Sequence, residues 1–246
     1  MKKILLIGCL ILIAACQTET PPPEPSSFPT ATLPPTPVSV TNTPEPTPTL
    51  EPTPTPLPRF FTQEFDSSFA GWVILQAGKE AIPNIAIENG TLRFQMDSPY
   101  AWLYALYGAE DYADVHVETE FVNSALSPAS IGLVCRYSET DGWFEFNVST
   151  DKTYSVLYGR WLDTGIADYL PIMGGSSKEI GQSGETQHIG LTCSGTTLYL
   201  RINGNIVRSV DVSSYELAEG RVGLTASSFE NIPVIAVFKR VTVSEP

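Results

Sequence analysis

Beyond about residue 84 the chain reads as short runs in which apolar and polar residues alternate with a period of two, the pattern of a strand with one buried face. In "IAIENGTLRFQM" the alternation runs on both sides of Asn89-Gly90, and in "LYLRINGNIVRSVDV" it does so around Asn203-Gly204. Asn-Gly accepts the positive φ angles of a type I′ turn, so each run predicts a β-hairpin. Further runs are "YADVHVETEFV", "SIGLVCRY", "WFEFNV", "TYSVLYGRW", "QHIGLTC", "RVGLTAS" and "VIAVFKRVTV". Turn residues separate them at intervals of about ten, and no long amphipathic helix stands out. The pattern predicts an all-β antiparallel two-sheet sandwich.

Parity assigns the faces. Val115, Val117, Thr119 and Phe121 share one side of their strand, and His116, Glu118 and Glu120 share the other. Phe144, Phe146 and Val148 point inward if Trp143, Glu145 and Asn147 point out. Leu198, Leu200 and Ile202 oppose Tyr199 and Arg201.

The amino-terminal region has another grammar. Met1-Lys2-Lys3 is a basic head, and the apolar run from Ile4 to Ala15 is too short for the ~20 residues of a membrane-spanning helix. Ile13-Ala14-Ala15-Cys16 resembles the lipobox of bacterial lipoproteins, with Ile13 where Leu is usual. That resemblance implies a signal peptide over residues 1–15 and a lipid on Cys16, which becomes the first residue of the mature chain. Several acyl chains hold a protein on a bilayer far better than one. From Gln17 to Pro58 the composition turns to Pro, Thr, Ser and Glu, as in "TPEPTPTLEPTPTPLP". Such a segment cannot bury enough apolar surface to fold. It is expected to be a disordered stalk, stiffened toward polyproline II and reaching on the order of 100 Å when taut. Residues 16–58 are therefore read as anchor and stalk, and residues 59–246 as one folded domain. The expected location is the cell surface, on the outer side of a bacterial membrane.

The formal net charge is −13, and loss of Lys2 and Lys3 makes the mature chain more acidic still. That balance argues against nucleic acid as a partner, and against anionic lipid beyond the anchor. No phosphate loop, dinucleotide fingerprint or Gly-x-Ser-x-Gly is present, so no cofactor is expected.

"EFDSSFAGW", "IENGTLRF", "YADVHVETEF", "IGLVCRY", "WFEFNVSTDKTYSVLY", "TLYLRINGNIV" and "EGRVGLTA" follow one another in the order seen in concanavalin A-like lectin/glucanase domains. More narrowly they resemble the branch related to the 3-keto-disaccharide hydrolases and DUF1080-type domains. The resemblance covers roughly Phe60 to Val243 and rests on turns and core alternation. It implies a jelly roll of two curved sheets, whose concave face carries the ligand groove in many relatives. Lectins, hydrolases and plain interaction modules share that fold.

Candidate chemistry is sparse. In "ETDGWFE", Glu139, Asp141 and Glu145 depart from the Glu-x-Asp-x-Glu spacing of retaining glucanases, and "SETDG" has the residues of a hairpin loop. Glu118 and Glu120 share a strand face, at a spacing that would suit inversion but equally suits a solvated surface. His116 and His188 are too few and too far apart in sequence for a recognisable metal site. No catalytic residue and no metal ligand is therefore assigned. Asp66, beside Ser67 and Ser68, would suit either calcium or a turn.

Aromatic residues with polar company are the better lead, because sugars stack apolar faces on Trp and Tyr and turn hydroxyls to Asn, Glu and Arg. Trp143, Glu145 and Asn147, with Arg160 and Trp161 on the next strand and Arg136 across the preceding turn, form the candidate ligand-binding set. They make a saccharide platform if their face lines the concave sheet, and core if it is the buried side. Trp72 and Trp102 read as core. Cys135 and Cys193 pair as a disulfide or remain two buried thiols; a bridge closing that loop would contribute roughly 4 kcal/mol. Three function classes follow: a surface carbohydrate-binding module, a glycoside-cleaving enzyme of the same fold, and a non-catalytic adhesion or scaffold protein.

Overall fold

Strands form wherever the sequence alternates, and also at four stretches where it does not. The computed structural model describes residues 57–66, 69–78, 83–124 and 128–246. The chain divides into two units, Met1–Pro52 and Thr53–Pro246, and every described residue belongs to the second. The expected signal segment, Cys16 and the proline-rich run as far as residue 56 lie outside the described residues.

The strands are β1 (Phe61–Glu64), β2 (Trp72–Gly78), β3 (Asn84–Glu88), β4 (Thr91–Met96), β5 (Ala101–Tyr107), β6 (Val115–Asn123), β7 (Ser130–Ser138) and β8 (Gly142–Ser149). They continue as β9 (Thr153–Trp161), β10 (Ala167–Ser176), β11 (Thr186–Ser194), β12 (Thr197–Ile202), β13 (Asn205–Asp211), β14 (Arg221–Ser227) and β15 (Val234–Ser244). The stretches without an alternation signal are β1, β2, β5 and β10. Both predicted hairpins form: Asn89 and Gly90 take φ angles of 52° and 72° between β3 and β4, and Asn203 and Gly204 take 49° and 82° between β12 and β13.

All pairings are antiparallel and make two sheets. One runs β13-β12-β11-β6-β15-β4-β3, with β1 also pairing β15; the other runs β10-β9-β8-β7-β14-β5-β2. The main core lies between them. The first sheet contributes Leu92, Phe94, Val117, Phe121, Leu191, Leu200 and Phe238, and the second contributes Leu103, Ile131, Leu133, Phe144, Phe146 and Leu224. Thr119 points into this core, where its hydroxyl donates to the Arg240 carbonyl at 2.7 Å, beside the register shift in β15.

The two sheets differ on their outer faces. β6 alternates between buried and half-buried residues, so one face packs and the other meets water. β8 is buried at every position. Parity puts Trp143, Glu145 and Asn147 on the face away from the main core, as expected, but that face is covered too.

Cys135 on β7 and Cys193 on β11 are bonded, 58 residues apart in sequence, and tie one sheet to the other through the core. Replacing both, Cys135→Ala with Cys193→Ala, is expected to lower the free energy of unfolding by about 2–5 kcal/mol in urea titrations. An unchanged midpoint would mean that the bridge contributes nothing to stability.

Candidate functional site

The covered outer face belongs to the seven-stranded sheet. It carries Trp102, Tyr104 and Leu106 from β5, Val134 and Tyr137 from β7, Trp143, Glu145 and Asn147 from β8, Trp161 from β9 and Tyr169 from β10. Val134 and Tyr137 share this face despite their odd spacing because β7 is bulged between Cys135 and Ser138. Gly159 sits opposite Trp143 on β9, and a Cβ there would lie 2.2 Å from the indole, so only glycine lets that ring lie flat on the neighbouring strand.

This face is strongly concave. β10 and β5 are five strands apart, about 24 Å in a flat sheet at ~4.8 Å per strand. Yet the Tyr169 and Trp102 rings stack with centroids 5.1 Å apart and planes at 22°. The Tyr169 and Tyr104 hydroxyls meet at 2.6 Å. Around the central Trp143, ring centroids lie at 5.3 Å for Tyr137, 5.4 Å for Trp161, 5.7 Å for Tyr104 and 6.1 Å for Tyr169. Trp161 is tied down by its indole N–H, which donates to the Tyr137 hydroxyl at 2.8 Å. Trp143 and Tyr104 are wholly buried, whereas Trp102, Trp161 and Tyr169 are partly exposed and form the outer surface of the layer.

Glu145 lies beneath these rings with no exposed surface. Burial pushes its carboxyl up from 4.5 to about 7; the Tyr104 and Thr225 hydroxyls and the Trp143 indole pull it partly back. None of the three closes a hydrogen bond, for both carboxyl oxygens lack a protein partner, as does the Trp143 Nε1. These groups are near enough to act through space but not aligned to bond. Burial, followed by the charge of Glu145, also raises the Tyr104 and Tyr169 phenols. Among the described residues Glu145 is the one buried carboxyl.

The structure brings Trp143, Glu145 and Trp161 together on one face, but Trp143 and Glu145 are wholly buried there, so Trp143 is core of a second apolar cluster rather than an open platform. Asn147 lies further along β8, buried beside Gly132. The two arginines lie elsewhere. Arg136 takes a left-handed φ of 52° in the bulge, and its guanidinium leaves the layer to donate to the carbonyls of Ala113 and Leu217 at 2.7–2.9 Å. It clamps two loops. Arg160 alternates to the opposite side of β9 from Trp161 and pairs with Asp168 at 2.9 Å.

Trp102 corrects the sequence reading, since it faces the concave layer rather than the main core. Trp72 does pack on the main core, stacked on Phe69 at 5.3 Å. Tyr104, Tyr137 and Tyr169 were not anticipated. Glu139 and Asp141 occupy the β7–β8 turn, where the Asp141 carboxylate accepts from the Ser138 and Thr140 hydroxyls at 2.8 and 3.0 Å. Asp66 is also in a turn, its N–H donating to the Glu64 carbonyl at 2.8 Å.

The outer face of the eight-stranded sheet joins residues that the sequence kept apart. Pairing of β6 with β11 puts the Nε2 atoms of both His116 and His188 at 3.3 Å from the same Glu118 oxygen, and Thr192 Oγ1 lies 2.8 Å from His116 Nδ1. A hydrogen bond from Lys239 at 2.9 Å lowers the Glu120 carboxyl below its ordinary value. Glu118 and Glu120 are occupied by these partners. Among the described residues no group of three His, Cys, Asp or Glu side chains is arranged to hold a metal ion.

This architecture is shared with known proteins. It is similar to the carbohydrate-binding module CBM66 from Bacillus subtilis, at 16% identity and a TM-score of 0.53 over 71% of this chain and 96% of that one. It is similar to a Bacillus licheniformis beta-glucanase, at 10% identity and 0.53 over 76% and 98%. A Bacillus subtilis protein of unknown function with a galectin-like fold gives 11% and 0.56 over 75% and 94%. The fold is an antiparallel two-sheet jelly roll. No family model matches the sequence, and no curated protein does. At these identities the likeness speaks for the jelly roll alone.

Glu145 makes stability depend on pH in a defined direction. Its folded value lies above its unfolded one, so its contribution is fully present below pH ~4.5 and is lost as pH rises toward ~7, a change of about 3 kcal/mol. Glu145→Gln removes this dependence. The stability of the variant minus that of wild type, from urea titrations across pH 4–8, is expected to climb over that window and level off above it. A flat difference would show that the carboxyl is not buried as described.

Proposed function

We propose that this protein is a carbohydrate-binding lipoprotein, whose jelly roll takes a saccharide on the concave face of its seven-stranded sheet. One observation carries the reading. The protein already has a complete core between its sheets, yet it builds a second layer of six aromatic rings on an outer face and leaves three of them partly exposed around an unpartnered carboxyl. Rings present the flat apolar surfaces on which pyranose C–H faces stack, and a carboxyl beside them suits hydroxyl groups. Two structural neighbours, a carbohydrate-binding module and a glucanase, support the ligand class by analogy. The order of the hairpin motifs supports a place near the 3-keto-disaccharide hydrolase branch.

In the same reading Cys16 carries the lipid, and the Pro/Thr-rich segment holds the binding domain away from the bilayer, outside the cell. The supports are the lipobox resemblance and the composition of residues 17–58. Turnover has less support, because a glycosidase of either stereochemistry uses two carboxyls and only Glu145 is set within the aromatic layer.

Two measurements check the proposal. The chain from Thr53 onward is expected to bind at least one member of a soluble polysaccharide panel in calorimetry, run with and without calcium. Trp102→Ala and Trp161→Ala should each weaken that binding about tenfold while near-ultraviolet dichroism stays native. Saturable binding unaffected by either substitution would move the site off this face. Separately, a clickable fatty acid fed to cells expressing the full chain should label the wild type and not Cys16→Ser; equal labelling of both would remove the anchor.

A further inference from the structure

The concave face holds a conflict. Its floor carries three unmet polar atoms, the two Glu145 oxygens and the Trp143 Nε1, while a side chain of the protein itself reaches across it to Tyr104 and Trp102. Leaving buried polar groups without partners is costly, and native structures seldom do so without a use for them. These atoms have a shared complement. A hydroxyl group accepts from an indole N–H and donates to a carboxyl oxygen at once, and a vicinal pair of hydroxyls would serve both oxygens.

That side chain is Tyr169. It comes from β10, an edge strand that pairs only with β9 and whose ladder is interrupted between Pro171 and Met173. Pro171 offers no N–H to hold the strand down. Leu162, Ile166 and Leu170, around the start of β10, are exposed, so little apolar burial anchors this end. On the far side of the groove Tyr169 is held by the Tyr104 hydroxyl and the Trp102 ring. A tyrosine offers what a sugar offers, one flat apolar face and one hydroxyl.

We propose that Tyr169 is an internal plug standing in the ligand's place, and that a bound saccharide displaces it and sets its own hydroxyl groups on Glu145 and Trp143. This rests on the carbohydrate reading above and deepens it. Trp102 then trades one stacked ring for another, and Glu145 gains the partners it lacks. A closed plug also holds down the apparent affinity, because only the open fraction of molecules is competent to bind.

The test is calorimetric titration of the best-bound polysaccharide into wild type, Tyr169→Ala, Tyr169→Phe and Glu145→Gln. Tyr169→Ala is expected to bind about tenfold more tightly, and Tyr169→Phe, which keeps the ring but loses the Tyr104 bond, by an intermediate factor of about three. Glu145→Gln should bind at least about tenfold more weakly. Affinity unchanged or reduced in Tyr169→Ala overturns the plug; if that variant does not fold, unchanged affinity in Tyr169→Phe does so. Affinity unchanged in Glu145→Gln overturns the role of the carboxyl. If no polysaccharide binds either wild type or Tyr169→Ala, the carbohydrate reading falls, and acrylamide quenching of tryptophan emission judges the plug by itself. Greater quenching in Tyr169→Ala than in wild type keeps Tyr169 as a displaceable cover, and equal quenching removes it.

Discussion

An ionisable carboxyl held without a protein hydrogen bond beneath a layer of aromatic rings is the constraint on which the rest of this structure turns. Glu145 reaches that position because β8 is an interior strand, between β10 and β5, of a sheet curled tightly enough for those two to meet across the concave face. The curl needs permissive positions. Gly159 clears the backbone beside Trp143, and the bulge in β7 brings Tyr137 round to the same side as Val134. The Arg136 guanidinium bonds to two loop carbonyls and so holds the strained end of that bulge. The result is a molecule with two apolar layers, one required to join the sheets and one that stability alone does not call for.

The sheets were largely legible in the sequence. Period-two alternation and the two Asn-Gly turns mark most of the strands and their inward faces, because in those strands one face is buried and the other wet. The concave layer was legible only in part, and for the same reason. Ala101–Tyr107 is apolar at both parities since both of its faces are covered, so no alternation reveals that Trp102 and Tyr104 oppose Leu103 and Ala105. β10 contains Pro171, Gly174 and Gly175 and reads as a loop, which concealed Tyr169. Parity found the side on which Trp143 and Glu145 lie, but it could not show that β10, two strands away, would carry Tyr169 over them to meet β5. The same limit hid the meeting of His116 and His188 on Glu118, which depends on the register between β6 and β11.

The two outer faces have different chemistry. On the eight-stranded sheet the carboxylates are matched by histidine, lysine and arginine side chains, and such pairs leave little unspent potential for a ligand. On the concave face of the seven-stranded sheet the Glu145 oxygens and the Trp143 Nε1 are buried without a partner. Specific recognition is expected where burial has already removed competing water and a partner is still wanted.

The most direct test of this account is a carbon-13 NMR titration of the Glu145 side-chain carboxyl, with and without a fragment of the bound polysaccharide. The account predicts a midpoint of about 7 in the free protein, and a fall when sugar hydroxyls donate to the charged form. A midpoint in the ordinary carboxylate range near ~4.3, indifferent to added saccharide, would contradict it.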